Sequence, residues 1–165
     1  MDAAVRELRA SKVTMGVDLA ISTKDGADYT AAVVVARHPD GRIWVLDAAR
    51  TRATFQDVLR FVQAMAAKHQ PSTILVEQVQ FQAAVVSELL RTTSLPVRGV
   101  RPDKDKLTRF QPIEARLEQG MVLLDPGLSD DFQKELLAFP LGEHDDQVDA
   151  LAYAYGGGAR TLEWS

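Results

Sequence analysis

The spacing of apolar positions changes period along this 165-residue chain, and the changes mark out its elements. Residues 12–20, KVTMGVDLA, are a short apolar run that predicts a strand. After the turn-rich TKDGAD, the β-branched density of YTAAVVVARH predicts a second. PDG at 39–41 makes a tight turn into RIWVLDAAR, a third strand, and the three read as an antiparallel meander. The period then becomes helical. Thr54 stands as an N-cap for a helix through about His69, with Phe55, Val58, Leu59, Val62 and Met65 on one face. Pro71-Ser72 ends it, TILVEQ at 73–78 is a short buried strand, and QFQAAVVSELLRTT is a helix. LPVRGVRP is another short strand. DKDKLTRFQPIEARLEQG is helical, kinked at Pro112 and closed by Gly120. MVLL is a brief strand before an acidic helix and the closing stretch FPLGEHDDQVDALAYAY. There Val148, Leu151, Ala152 and Tyr155 share one helical face. Three antiparallel strands followed by alternating helix and strand predict an α/β fold, a mixed sheet with helices on both faces.

Length and composition agree with one domain. At 46% apolar and 25% charged the chain is of ordinary globular composition, long enough for a substantial core. We expect an extension over residues 1–11, the domain at 12–155, and a flexible tail from GGGAR over 156–165. No apolar run suffices for a membrane span and the first residues lack a signal core, so the expectation is cytoplasmic. Zero cysteines exclude a disulfide scaffold and thiolate metal ligation. The net charge of −4 hides an uneven distribution. Arg98 to Arg116 is rich in basic residues, while Asp125 to Asp149 is dense in acids. A basic segment can hold phosphates and an acidic focus can hold cations.

The acids stand where acids are disfavoured. Asp18 ends the run Val13-Thr14-Met15-Gly16-Val17, and Glu77 follows Thr73-Ile74-Leu75-Val76 directly. Asp145, Asp146 and Asp149 lie in the first turn of a helix whose other face is apolar. Each has an ordinary explanation: a strand-end acid is commonly a turn or cap residue, and aspartates favour the positive end of a helix macrodipole. Together they point elsewhere. If the first strand pairs beside the one ending at Glu77, the two carboxylates meet at one sheet edge, and a helix packed there adds Asp146 with Asp145 or Asp149. Carboxylates so clustered need a cation. Hard oxygen donors favour Mg²⁺ or Mn²⁺ over zinc, and two such ions about 4 Å apart stabilise the attacking and leaving oxygens of a phosphodiester.

GVDLA, DYTAAVVV, ILVEQ, DKLTRFQPIEARLEQGMV and FPLGEHDDQVDALAYA together resemble the C-terminal nuclease domain of the large terminase subunit of tailed bacteriophages. The likeness covers roughly residues 12–155, and its last motif is the most specific. It implies an RNase H-like fold and endonucleolytic, metal-dependent hydrolysis of double-stranded DNA during genome packaging in a bacterial host, by a phage or prophage protein. It marks Asp18, Glu77 and an Asp of the HDD motif as catalytic metal ligands. Asp146 is favoured, with Asp145 or Asp149 contributing. Further partners implied are the terminase ATPase domain, the small subunit and the portal. No G-x-x-x-x-G-K-[ST] motif is present, so an excised domain and a stand-alone nuclease both fit.

On this reading Asp18 bridges two ions, Glu77 holds one and the HDD carboxylates the other, while His144 orients the scissile phosphate or serves as a cap. Lys104, Lys106 and Arg109 contact backbone phosphates, which gives low sequence specificity and salt sensitivity. Arg116 either shares the face of Arg109 or pairs with Glu135 or another acid. Phe81, Phe110 and Trp44 read as packing residues, Asp28 as a turn residue, and Asp47 as an exposed strand position. Three rivals remain: a Holliday-junction resolvase-like nuclease, a sugar-kinase or actin-like phosphotransferase, and a non-catalytic module binding DNA or a capsid partner. The phosphotransferase architecture needs two domains of this size.

Overall fold

The computed structural model describes residues 11–20, 29–52, 54–77, 83–101, 105–142 and 144–160. Its strands are β1 (Lys12–Asp18), β2 (Thr30–Arg37), β3 (Ile43–Thr51), β4 (Thr73–Glu77), β5 (Val97–Val100) and β6 (Val122–Leu124). Its helices are α1 (Phe55–His69), α2 (Ala83–Thr92), α3 (Lys106–Glu118), α4 (Asp130–Ala138) and α5 (Asp146–Arg160). The strands form one sheet in the order β5-β4-β1-β2-β3-β6. β1, β2 and β3 pair antiparallel, as the meander predicts, and the outer pairs β1/β4, β4/β5 and β3/β6 are parallel. The predicted mixed sheet is present, with helices on both faces.

Side chains alternate between the faces of a strand, and here the alternation divides the core in two. Met15, Val17, Ala32, Val34, Ile74 and Val76 pack with Val58 and Val62 of α1 and Val85 and Leu89 of α2. Ala31, Val33, Val35, Ile43 and Val45 face the other way, onto Phe110 and Ile113 of α3, Phe132 of α4, and Val148 and Leu151 of α5. Burying each of the larger of these side chains stabilises the fold by roughly 1.5–3 kcal/mol, so two apolar faces commit the sheet to a three-layer arrangement.

Local signals place the helices. Asp105 caps α3 by accepting from the Thr108 amide at 2.8 Å, and Ser129 caps α4 through the Phe132 amide at 3.2 Å. Thr54 holds the N-cap position of α1, but its hydroxyl donates to Asp57 Oδ2 at 3.0 Å instead of capping a backbone amide. α3 runs through Pro112 to Glu118, and Gly120 supplies a positive φ of 69° just beyond it. The backbone of α5 continues helical past the first glycines to Arg160, into the stretch where the sequence predicts a tail.

Gly16 sets the distance between α5 and the sheet. A Cβ there would run into the Ala150 carbonyl and the Ala154 amide, both backbone atoms that no rotamer change can move. α5 therefore lies directly on β1, its small Ala150, Ala152 and Ala154 all buried. At the far end of the helix Arg37 donates to the Tyr155 carbonyl at 2.6 Å and stacks on the Tyr155 ring. The helix runs antiparallel to β1, and its first turn comes over the strand end at Asp18.

Candidate active site

Strand parity and register bring the first two acids together. Met15 and Val17 occupy one face of β1, so Gly16 and Asp18 occupy the other, the face covered by α5. In β4 the same count puts Ile74 and Val76 on the first face and Glu77 on the second. The parallel register matches Gly16 with Leu75 and Val17 with Val76, which leaves Asp18 beside Glu77. Both are last residues of their strands. The two carboxyl groups are hydrogen-bonded, and Asp146 and Asp149 of α5 lie near enough to act on Asp18 electrostatically. Asp146 is 8% exposed and Asp149 6%.

Four acids in so small a space cannot all stay ionised without a counter-charge. Burial first, then the hydrogen bond and repulsion from Glu77, then repulsion from Asp149 and Asp146, push the Asp18 carboxyl up from 3.8 to about 11. That shift favours the protonated form of Asp18, whose carboxyl is hydrogen-bonded to that of Glu77. Asp149 has a cation at hand: Arg109 of α3, itself largely covered, places a guanidinium nitrogen 3.4 Å from its carboxylate. The same guanidinium lies 5.3 Å from the ring centre of Tyr153. Burial, and next the nearby Glu77, also raise the Tyr153 hydroxyl, while Arg109 opposes the rise. That hydroxyl is buried and, among the described residues, has no hydrogen-bond partner.

Asp145 stands at the N-cap of α5, its carbonyl accepting from the Asp149 amide at 2.9 Å. His144 meets Tyr29 edge-on, ring centres 5.3 Å apart. Arg50 and Arg52 each place a guanidinium carbon 4.4 Å from the centre of the same Tyr29 ring. Lys106 is the first residue of α3. Lys104, Asp28 and Phe81 lie outside the described residues. Phe110 is a packing residue, as expected, its ring 4.8 Å from that of Phe139.

Two expectations are corrected. Asp47 is not a solvated strand position, because His69 at 2.7 Å and Lys68 at 3.2 Å draw its carboxylate against the end of α1. Glu135 does not pair with Arg116, whose guanidinium lies by Gly41 at the β2–β3 turn. It faces Arg50 at 3.6 Å and the first turn of α5 instead.

The donor set suits a hard divalent cation: carboxylate oxygens from β1, β4 and α5, with the Tyr153 hydroxyl, unpartnered among the described residues, beside them. Among the described residues no group of three or more His, Asp or Glu side chains stands in ligating geometry. The crowding of these acids favours the protonated form of Asp18.

The family model for the terminase RNase H-like domain matches residues 15–156, from β1 into the last helix. The chain belongs to this family. The domain's fold is similar to that of the human cytomegalovirus terminase nuclease domain, at 14% identity and TM-score 0.67, over 90% of this chain and 84% of that one. It is similar to the large terminase nuclease of the thermophilic phage G20c, solved with bound zinc, at 20% identity and TM-score 0.65, over 90% and 82%. It is also similar to RuvC of T. thermophilus in complex with a Holliday junction substrate, at 15% identity and TM-score 0.59, over 92% and 96%. No curated protein matches the chain. The RNase H-like architecture implied by the resemblance to terminase nucleases is the architecture of this family's domain.

Sequence reasoning missed three residues around the domain's acids. Glu135 lies in a helix that reads as uniformly acidic surface. Arg50 ends a strand without any motif, and Tyr153 hides within an apolar helical face. Only Tyr153 left a signal, lying four residues after Asp149 and so on the same side of the helix.

Proposed function

We propose that the chain is a divalent-metal-dependent endonuclease that hydrolyses phosphodiester bonds of double-stranded DNA with little sequence preference, as at the end of phage genome packaging. The observation that supports this most is the meeting of Asp18 and Glu77 with Asp146 and Asp149. Carboxylates buried this close together repel one another, so the cluster has little structural use of its own. Membership of a terminase family and a fold shared with terminase nucleases support the same reading. Similar structures hold zinc or magnesium, or were soaked with manganese, which supports a divalent cation as the group the acids await.

Asp18, Glu77 and Asp146 would be the ligands, with Asp149 and Asp145 as further contributors. Bound there, divalent cations would neutralise the carboxylates, lower the pKa of bound water and offset charge on the phosphate. The chain's own residues would do the rest. Asp18 would enter such a site as a carboxylate. Arg109 balances Asp149, so the α5 carboxylates are not all left to repel one another. Tyr153 would offer a hydroxyl donor beside the acids, and His144 would orient the scissile phosphate. Lys104 and Lys106, ahead of and at the start of α3, would follow the DNA backbone. Arg109 joins them where its hold on Asp149 allows. If the chain is one part of a packaging motor, its partners would be the ATPase domain, the small subunit and the portal. It would then act in the cytoplasm of an infected host. Among the described residues no helix is long and apolar enough to cross a membrane.

The test is a supercoiled plasmid incubated with the protein and Mg²⁺ or Mn²⁺. Nicking and linearisation that stop with chelator and return with Mn²⁺ are expected. An intact plasmid, or cutting that resists chelation, would contradict the proposal. The similarity to RuvC and to the yeast resolvase Ydc2 gives a second reading, cleavage of branched DNA. A four-way junction cut far faster than linear duplex would favour it.

A further inference from the structure

The first turn of α5 has to present Asp146 and Asp149 to Asp18 and Glu77, and the structure shows what holds it. The leading amides of a helix lack intrahelical partners and are normally taken by the side chain of the N-cap residue. In α5 they are taken from outside. Glu135 of α4 accepts from the Gln147 amide at 2.6 Å and the Val148 amide at 3.1 Å through Oε1. Its Oε2 accepts from the Gln147 side-chain amide at 2.7 Å. Glu135 is 6% exposed and Gln147 1%, so these bonds form away from water, where losing an acceptor is costly. Arg50, from the end of β3, approaches the same carboxylate at 3.6 Å and also faces Asp131 at 3.6 Å. One buried acid thus ties α4, β3 and α5 together at the residues between Asp146 and Asp149.

We infer that Glu135 is a positioning residue for the nuclease site: its carboxylate fixes the rotation and height of the first turn of α5, with Gln147 as its partner, and so sets where Asp146 and Asp149 meet Asp18 and Glu77. The inference rests on the metal-ligand reading of those four acids. It differs from a general packing role in the bonds themselves. Glu135 spends two of its three on backbone amides of the turn that bears the acids and the third on the residue between them. The sequence conceals this, because Glu135 is one of many acids in its segment, and Gln147 inside the HDDQVDA motif looks like a spacer.

The chemistry allows a specific test. Glu135→Leu removes both acceptor oxygens, so the amides of Gln147 and Val148 and the NH₂ of Gln147 lose their partner. Glu135→Gln keeps one oxygen for the backbone amides, and its NH₂ can be taken by the Gln147 side-chain oxygen once that amide turns over. Two quantities are read for the wild type, Glu135→Leu and Glu135→Gln. One is amide hydrogen exchange over residues 147–150. The other is Mn²⁺ binding by calorimetry, with the Mn²⁺ concentration for half-maximal plasmid nicking alongside. Glu135→Leu should exchange faster over that turn and bind Mn²⁺ roughly tenfold or more weakly, the usual scale for residues that orient metal ligands. DNA binding without metal should be unchanged. Glu135→Gln should recover most of both properties. Wild-type exchange and Mn²⁺ affinity in Glu135→Leu would overturn the inference, as would a folded Glu135→Gln no better than Glu135→Leu. A wild-type protein that takes up no Mn²⁺ overturns instead the metal-ligand reading on which the inference rests. The exchange rates then still decide whether Glu135 anchors the turn.

Discussion

Asp18 is the residue on which the site's electrostatics concentrate, and its environment makes two measurable predictions. With its carboxyl raised from 3.8 to about 11 in the fold, the metal-free native state keeps a proton that the unfolded chain releases. Between those values the native state binds more protons, so stability falls as pH rises through neutrality. Asp18→Asn removes that slope. Its amide can still donate to Glu77, so at pH 8 the melting temperature should equal or exceed that of the wild type while cleavage disappears. A variant that cuts normally, or that melts well below the wild type, would contradict this. Tyr153→Phe deletes a buried hydroxyl without a partner among the described residues, and should stabilise the metal-free protein by about 1 kcal/mol in urea titration. Asp18 and Glu77 were legible in the sequence because a charged residue ending an apolar strand run is conspicuous. The choice among Asp145, Asp146 and Asp149 was not, because helical spacing allows more than one pair to share a face.

At the scale of elements, the contact of α5 with β1 through Gly16 decides whether the acids meet. Gly16→Ala pushes a methyl group into the backbone at Ala150 and Ala154, so helix and strand must separate. Destabilisation of about 3 kcal/mol or more is expected, at the upper end of the cost of overpacking, with loss of cleavage even where the fold survives. A urea midpoint within experimental error of the wild type would show that α5 does not rest on Gly16. The strands and helices themselves were largely readable, since their hydrophobic periods differ and Pro71 and Gly120 punctuate them. What the periods could not give was pairing across the sequence. The Asp47–His69 and Glu135–Gln147 contacts join residues 22 and 12 positions apart, and only the packing of α1 and α4 creates them.

For the whole molecule, the sheet order places the ends of β1 and β4 side by side beneath the N-terminus of α5. The domain therefore resembles a frame closed by acids that repel, and a cation should tighten it. Mass action gives about 2.7 kcal/mol of stabilisation at a hundredfold excess of ligand over Kd, or roughly 5–10 °C in Tm for a chain of this size. Mn²⁺ should produce such a shift in the wild type and none in Asp18→Asn. The family was legible from motifs spread over most of the chain, because they fall at the strand ends and helix start that build one site. The most direct measurement is the anomalous difference map of a crystal soaked in Mn²⁺. Peaks should appear between the carboxylates of Asp18, Glu77 and Asp146 or Asp149, within coordination distance of each. A map without density there, or with manganese bound only elsewhere, would contradict the convergence of these acids on a metal.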